Sequence, residues 1–152
     1  MGRLNQKLRR AAALSPHDWL LVAEAWVELA RARAMLSLDA AKAVRGALDR
    51  PALPSGNEHD LPPQLLEMFL VAANHHVFRL TCLPKALALK QMLERRQLVP
   101  QLRIGARKEG PKLLGHAWVE IDGVPFNDSA DVADRYPPLT LSEAGLAIWT
   151  AE

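Results

Sequence analysis

The chain has one cysteine, so any thiol chemistry belongs to Cys82. It stands in Thr81-Cys82-Leu83-Pro84, and proline is tolerated only in the first turn of a helix, where its missing N–H has no partner to lose. A helix therefore begins at or beside Cys82. Unpaired amides and the helix dipole at such an end favour a thiolate. His116 follows in Gly115-His116-Ala117-Trp118-Val119-Glu120, and Asp128 lies near the end of the next extended stretch. A thiol on a helix end, an imidazole on one strand and a carboxylate to accept the second imidazole proton make a workable nucleophilic triad.

The turn between the two strands decides whether His116 and Asp128 can meet. A two-residue Asp122-Gly123 loop would pair Ile121 with Val124 and send the two side chains to opposite faces. A three-residue loop, Ile121-Asp122-Gly123 with glycine left-handed at its end, pairs Glu120 with Val124 and places His116 opposite Asp128. Both loops suit these residues, and the triad requires the second. His116 and Asp128 are therefore expected on one face, within hydrogen-bond reach.

These residues need elements to hold them. Ser15-Pro16-His17-Asp18 carries a helix-start signature, with a capping serine, an early proline and an acid three residues on. Trp19, Leu20, Val22, Ala23, Trp26, Val27, Leu29 and Ala30 then repeat at helical spacing, and Trp19, Trp26 and Trp118 are assigned to the core. A second helix is expected over about 38–48, a loop over 51–63, and a third helix from Gln64 that carries apolar residues as far as Val77 and Phe78. The helix from Cys82 continues to about Gln97, with Lys85, Lys90, Arg95 and Arg96 on a solvated face. After Pro100 the period becomes alternating, with turns at Glu109-Gly110-Pro111 and Asp122-Gly123, and a short helix is expected from Ser142. Helices first and a small antiparallel sheet afterwards define an α+β fold. A single domain over 1–152 is expected, helical over 1–80, with the catalytic helix and the strands over 81–152.

Composition excludes several classes. The net charge is +2, too little to argue for nucleic acid. No apolar run reaches the roughly 20 residues of a membrane helix, and no export signal is evident at the start. One cysteine makes no internal disulfide, and a cytoplasmic location is expected. His75 and His76 point about 100° apart on a helix and cannot chelate as an i, i+4 pair does. No metal and no cofactor is expected.

Thr81 to Leu89, Leu102-Arg103-Ile104-Gly105-Ala106-Arg107, Gly115 to Glu120 and Asn127-Asp128 together resemble the transglutaminase-like leader peptidases of lasso-peptide biosynthesis. The resemblance implies a papain/transglutaminase-like core in which Cys82, His116 and Asp128 cleave the leader from a ribosomally made precursor. It implies the split form of the family, in which a separate PqqD-like protein recognises the leader. An ATP-dependent cyclase would then close the lasso ring. Papain-type enzymes carry an oxyanion-hole glutamine six residues before the cysteine, and His76 stands there. The backbone amide of Cys82 is one candidate donor, and Asn74, His76 or a backbone amide is the other. Lys85, Lys90, Arg95, Arg96 and Trp118 are candidate contacts for substrate or partner. An acyl transferase with the same triad and an inactive scaffold that delivers the precursor are the alternatives.

Overall fold

The computed structural model describes residues 14–48 and 64–139. The expected loop over 51–63 and the helix from Ser142 lie outside the described residues. Helix α1 spans Pro16–Leu48 and opens on the expected box. The amide and hydroxyl of Ser15 donate to Asp18 Oδ2 at 2.9 and 2.8 Å, and the Asp18 amide donates back to Ser15 Oγ at 3.1 Å. The second expected helix is its C-terminal part. Asp39 breaks the helical path with φ −158° and ψ 90°, and its Oδ1 accepts the Lys42 amide at 2.9 Å as an N-cap for the segment that follows.

The face that α1 buries differs from the expected one. Leu21, Ala25, Glu28, Leu29 and Ala32 are buried, whereas Trp19 and Trp26 are exposed by 51% and 36%. Apolar residues run nearly all round this helix, so spacing alone could not select the inner face. The deciding residues are acids. Glu24 and Glu28, one turn apart, face the end of the helix that begins at Cys82. Arg96 grips Glu24 with two bonds of 3.0 and 2.7 Å, and Arg95 pairs with the buried Glu28. A planar two-pronged contact of this kind fixes angle as well as distance.

Helix α2 spans Leu65–Asn74 and ends short of the expected Val77 and Phe78, which are exposed. The His75 ring bonds back to the Val71 carbonyl at 2.9 Å and closes the last turn. Helix α3, Cys82–Glu94, is the central element, with Leu83, Pro84 and Ala86 to Lys90 all buried. Lys90 was expected in solvent. It is 5% exposed and pairs with Glu94 one turn on.

Strands β1 (Pro100–Glu109) and β2 (Lys112–Ile121) form an antiparallel hairpin that places Gly105 opposite His116. Leu102 and Ile104 of β1 and Ala117 and Val119 of β2 join the core cluster that holds α3. Strand β3 is only Val124–Pro125. Ile121 pairs with Val124, and both Asp122 (φ 50°) and Gly123 (φ 79°) are left-handed. This is the two-residue turn, not the expected three-residue loop. Its twist matches that of the flanking strands, and Asp-Gly tolerates two positive φ angles in succession.

After a short helix α4, Val132–Arg135, the chain returns along the free edge of β1. The Ala106 amide donates to the Pro137 carbonyl at 3.2 Å, and the Leu139 amide to the Ile104 carbonyl at 2.9 Å. Gly105 permits this approach, since a Cβ there would lie 2.2 Å from the Tyr136 carbonyl oxygen. A backbone atom cannot swing aside as a side chain can. Gly105→Ala should therefore displace the 136–139 segment and destabilise the domain by about 1–3 kcal/mol, seen as a lower melting temperature by circular dichroism. A melt equal to that of the wild type would show that the segment yields at no cost.

Candidate active site

Cys82 is the first residue of α3, and no side chain caps that end, where Thr81 is extended. The helix-terminal amides are thus free to act on the thiol. Burial is the largest influence and pushes the Cys82 thiol up, while the amides of Ala117, Cys82 and Leu83 and the charge of Lys85 work against it. The thiol stays above its ordinary value, so the helix end alone does not make the thiolate that its position suggested. The Ala117 amide comes from β2, next in sequence to His116. Packing of α3 on the sheet therefore brings the sulfur to the neighbour of the candidate base.

His116 Nε2 lies 2.6 Å from Asp128 Oδ2. With Nε2 bonded to the carboxylate, Nδ1 is the nitrogen left to take a proton. The two side chains meet despite the two-residue turn, because the ladder stops after β3. The Phe126 amide still donates to the Val119 carbonyl at 2.8 Å. The Val119 amide, however, donates to the side-chain oxygen of Asn127 at 2.8 Å instead of to a strand carbonyl. Residues 126–128 bend away, and Asp128 is released from strand alternation.

The other oxygen of Asp128 is also held. Oδ1 accepts the Ser129 amide at 2.8 Å and Arg135 Nη2 at 2.9 Å. Burial would raise the Asp128 carboxyl, but the bonds from His116 and Ser129 and the nearby cations outweigh it, and the group sits below the usual carboxylate value. The Tyr136 ring lies 4.8 Å from the His116 ring. Trp118 lies beside it at 6.0 Å, nearly parallel.

Several candidate residues are placed elsewhere. Trp118 is fully buried and its indole N–H donates to Glu120 Oε1 at 2.9 Å, so it offers no surface to a substrate. Arg95 and Arg96 are committed to Glu28 and Glu24 and Lys90 to Glu94, so of the expected basic face only Lys85 has no ion pair among the described residues. The His76 ring bonds to the Trp26 carbonyl through Nε2 at 3.2 Å and accepts the Phe78 amide at Nδ1 at 3.3 Å. Both nitrogens are occupied, which leaves no N–H for an oxyanion. Asn74 is exposed at the end of α2. Among the described residues no three His, Cys, Asp or Glu side chains gather as a metal site. Asn127, Arg135, Tyr136 and Gly105 were given no role from the sequence. The one legible sign was the Asn127-Asp128 pair just after Pro125, since asparagine commonly ends a strand by bonding to backbone.

The family described as the transglutaminase-like superfamily matches residues 19–141, and the chain belongs to it. The microcin J25-processing protein McjB of Escherichia coli is 30% identical over 83 residues, which cover 55% of this chain. The same stretch spans 39% of McjB, well under two thirds of its length. No solved structure matches the chain significantly. No helix among the described residues is long and apolar enough to cross a membrane.

Proposed function

We propose that this chain is a cysteine peptidase that removes the leader from a lasso-peptide precursor. The observation that carries the reading is the 2.6 Å contact between His116 Nε2 and Asp128 Oδ2, with Cys82 at a helix start against the amide of the residue beside that histidine. The family membership and the likeness to a microcin-processing protein support it. Because burial holds the thiol in its protonated form, attack needs a base at hand. His116 Nδ1 takes the thiol proton as the sulfur bonds to the scissile carbonyl carbon. The Cys82 backbone amide donates to the developing oxyanion, and Asn74 is the remaining side-chain candidate for a second donor. His116 then gives the proton to the departing amine of the core peptide, leaving the leader as a thioester on Cys82. Water, deprotonated by the same nitrogen, releases the leader as a free acid and restores the thiol.

A separate leader-recognition protein presents the precursor in this proposal. A disordered leader loses entropy on ordering, so contact at the scissile bond alone is weak. A partner that grips the leader makes the cleavage site effectively intramolecular, at about millimolar local concentration. An ATP-dependent cyclase would act on the freed core. The test is mass spectrometry of full-length precursor incubated with this protein, with and without the leader-recognition protein. Free leader and free core should appear, many times faster with the partner. No cleavage with the partner present overturns the reading, and a leader joined to an added amine in place of a free acid assigns acyl transfer.

A further inference from the structure

We propose that Arg135 and Tyr136 are positioning residues, a clasp on the sheet edge that locks the Asp128 carboxylate and holds the His116 imidazole in its working plane. The inference rests on the reading of Cys82 and His116 as nucleophile and base. Its first support is the division of labour on Asp128. Oδ2 meets His116, while Oδ1 takes the Ser129 amide and Arg135 Nη2. Arg135 is itself fixed, since Nη2 also donates to Ser129 Oγ at 2.6 Å and Nε pairs with Asp131 Oδ2 at 3.2 Å. A carboxylate held at both oxygens cannot rotate away from its histidine.

The second support is the ring. An imidazole bonded through one nitrogen can still swing about that bond, and Tyr136 lies against it. The Arg107 guanidinium lies over the same tyrosine ring at 5.0 Å and that of Arg135 at 5.8 Å, so two cations pack against the phenol. Its backbone is fixed too. The Tyr136 amide donates to the Val132 carbonyl at 2.8 Å, Val132 is fully buried, and the Tyr136 carbonyl occupies the space that Gly105 leaves empty. One local segment thus grips both members of the pair.

Arg135 shares the carboxylate with the histidine, so its loss frees one oxygen of Asp128 and loosens that side of the pair. In Arg135→Gln the His116 ring-proton resonances should therefore shift and broaden, and Arg135→Lys should restore them in part. Tyr136→Leu removes the aromatic face, so the His116 ring-proton resonances should shift, and Tyr136→Phe should keep them in place. Both clasp variants should slow alkylation of Cys82 by iodoacetamide about tenfold, because a loosely aimed base removes the thiol proton less well.

Histidine-ring NMR of the full chain and of these variants at one fixed pH is the deciding measurement, with thermal melts to confirm folding. It needs no substrate, so it judges the clasp apart from the peptidase reading, which precursor cleavage judges. Shifted His116 ring signals in Arg135→Gln, with ring shifts in Tyr136→Leu that Tyr136→Phe restores, support the clasp. Ring signals of His116 unchanged in folded Arg135→Gln, or unchanged in folded Tyr136→Leu, overturn it.

Discussion

Cys82→Ala should abolish precursor cleavage, lowering the rate by a factor on the order of 10⁴ to 10⁶, while the protein unfolds at nearly the same temperature. The large first number and the small second have different origins. In the proposed mechanism the sulfur is the atom that bonds to the scissile carbonyl, and no other thiol exists in the chain to replace it. Alanine, by contrast, is an excellent helix former, and it leaves Thr81 at the N-cap and Pro84 in the first turn untouched. The site is half-buried, so the cavity left by one sulfur is small. Residues that act as a unit are not additive, so Cys82→Ala with His116→Ala should be no slower than Cys82→Ala alone. Time courses by mass spectrometry with the leader-recognition protein present measure this. Cleavage by Cys82→Ala within about tenfold of wild type would remove the cysteine from the mechanism.

Local chemistry was legible where one residue type has one use. Pro84 fixed the start of α3, and the Ser15–Asp18 box marked the start of α1 to the residue. What was hidden depended on partners distant in sequence. The inner face of α1 follows from Glu24 and Glu28 meeting Arg96 and Arg95, and no helical period reveals that pairing. The same pairing commits both arginines to acids of this domain, so neither is a free cation for a docking partner. The hairpin is the most instructive case. The meeting of His116 with Asp128 was expected through a three-residue loop, whereas the loop has two residues and the meeting occurs regardless. Strand alternation holds only as far as Pro125, and residues 126–128 no longer belong to a strand. Asn127 ends the ladder by substituting its side-chain oxygen for a backbone one, and a tertiary event of that kind leaves no period in the sequence.

Asp128→Asn should be nearly as damaging as loss of the side chain, with cleavage reduced by about 10³ to 10⁴. An amide is almost isosteric with a carboxylate, and at many sites the exchange is mild. Here both ends of the carboxylate face donors. If the amide oxygen turns to His116 Nε2, the NH₂ group faces the Ser129 amide and the Arg135 guanidinium. If it turns the other way, the NH₂ group faces His116 and demands a bare Nε2, which puts the proton on Nδ1, the nitrogen that the proposed mechanism needs as base. Either orientation wastes an interaction that the carboxylate makes without conflict. The pH dependence separates charge from shape. Asp128 titrates below its ordinary value in the folded protein, so the stability it adds is fully present above the unfolded carboxylate value of about 4. That stability is lost as pH falls through the lower folded value. Wild type should therefore melt above Asp128→Asn at neutral pH, and the gap should close below about pH 4. Equal melting temperatures at neutral pH, together with cleavage near the wild-type rate, would mean that His116 is oriented by something other than this carboxylate.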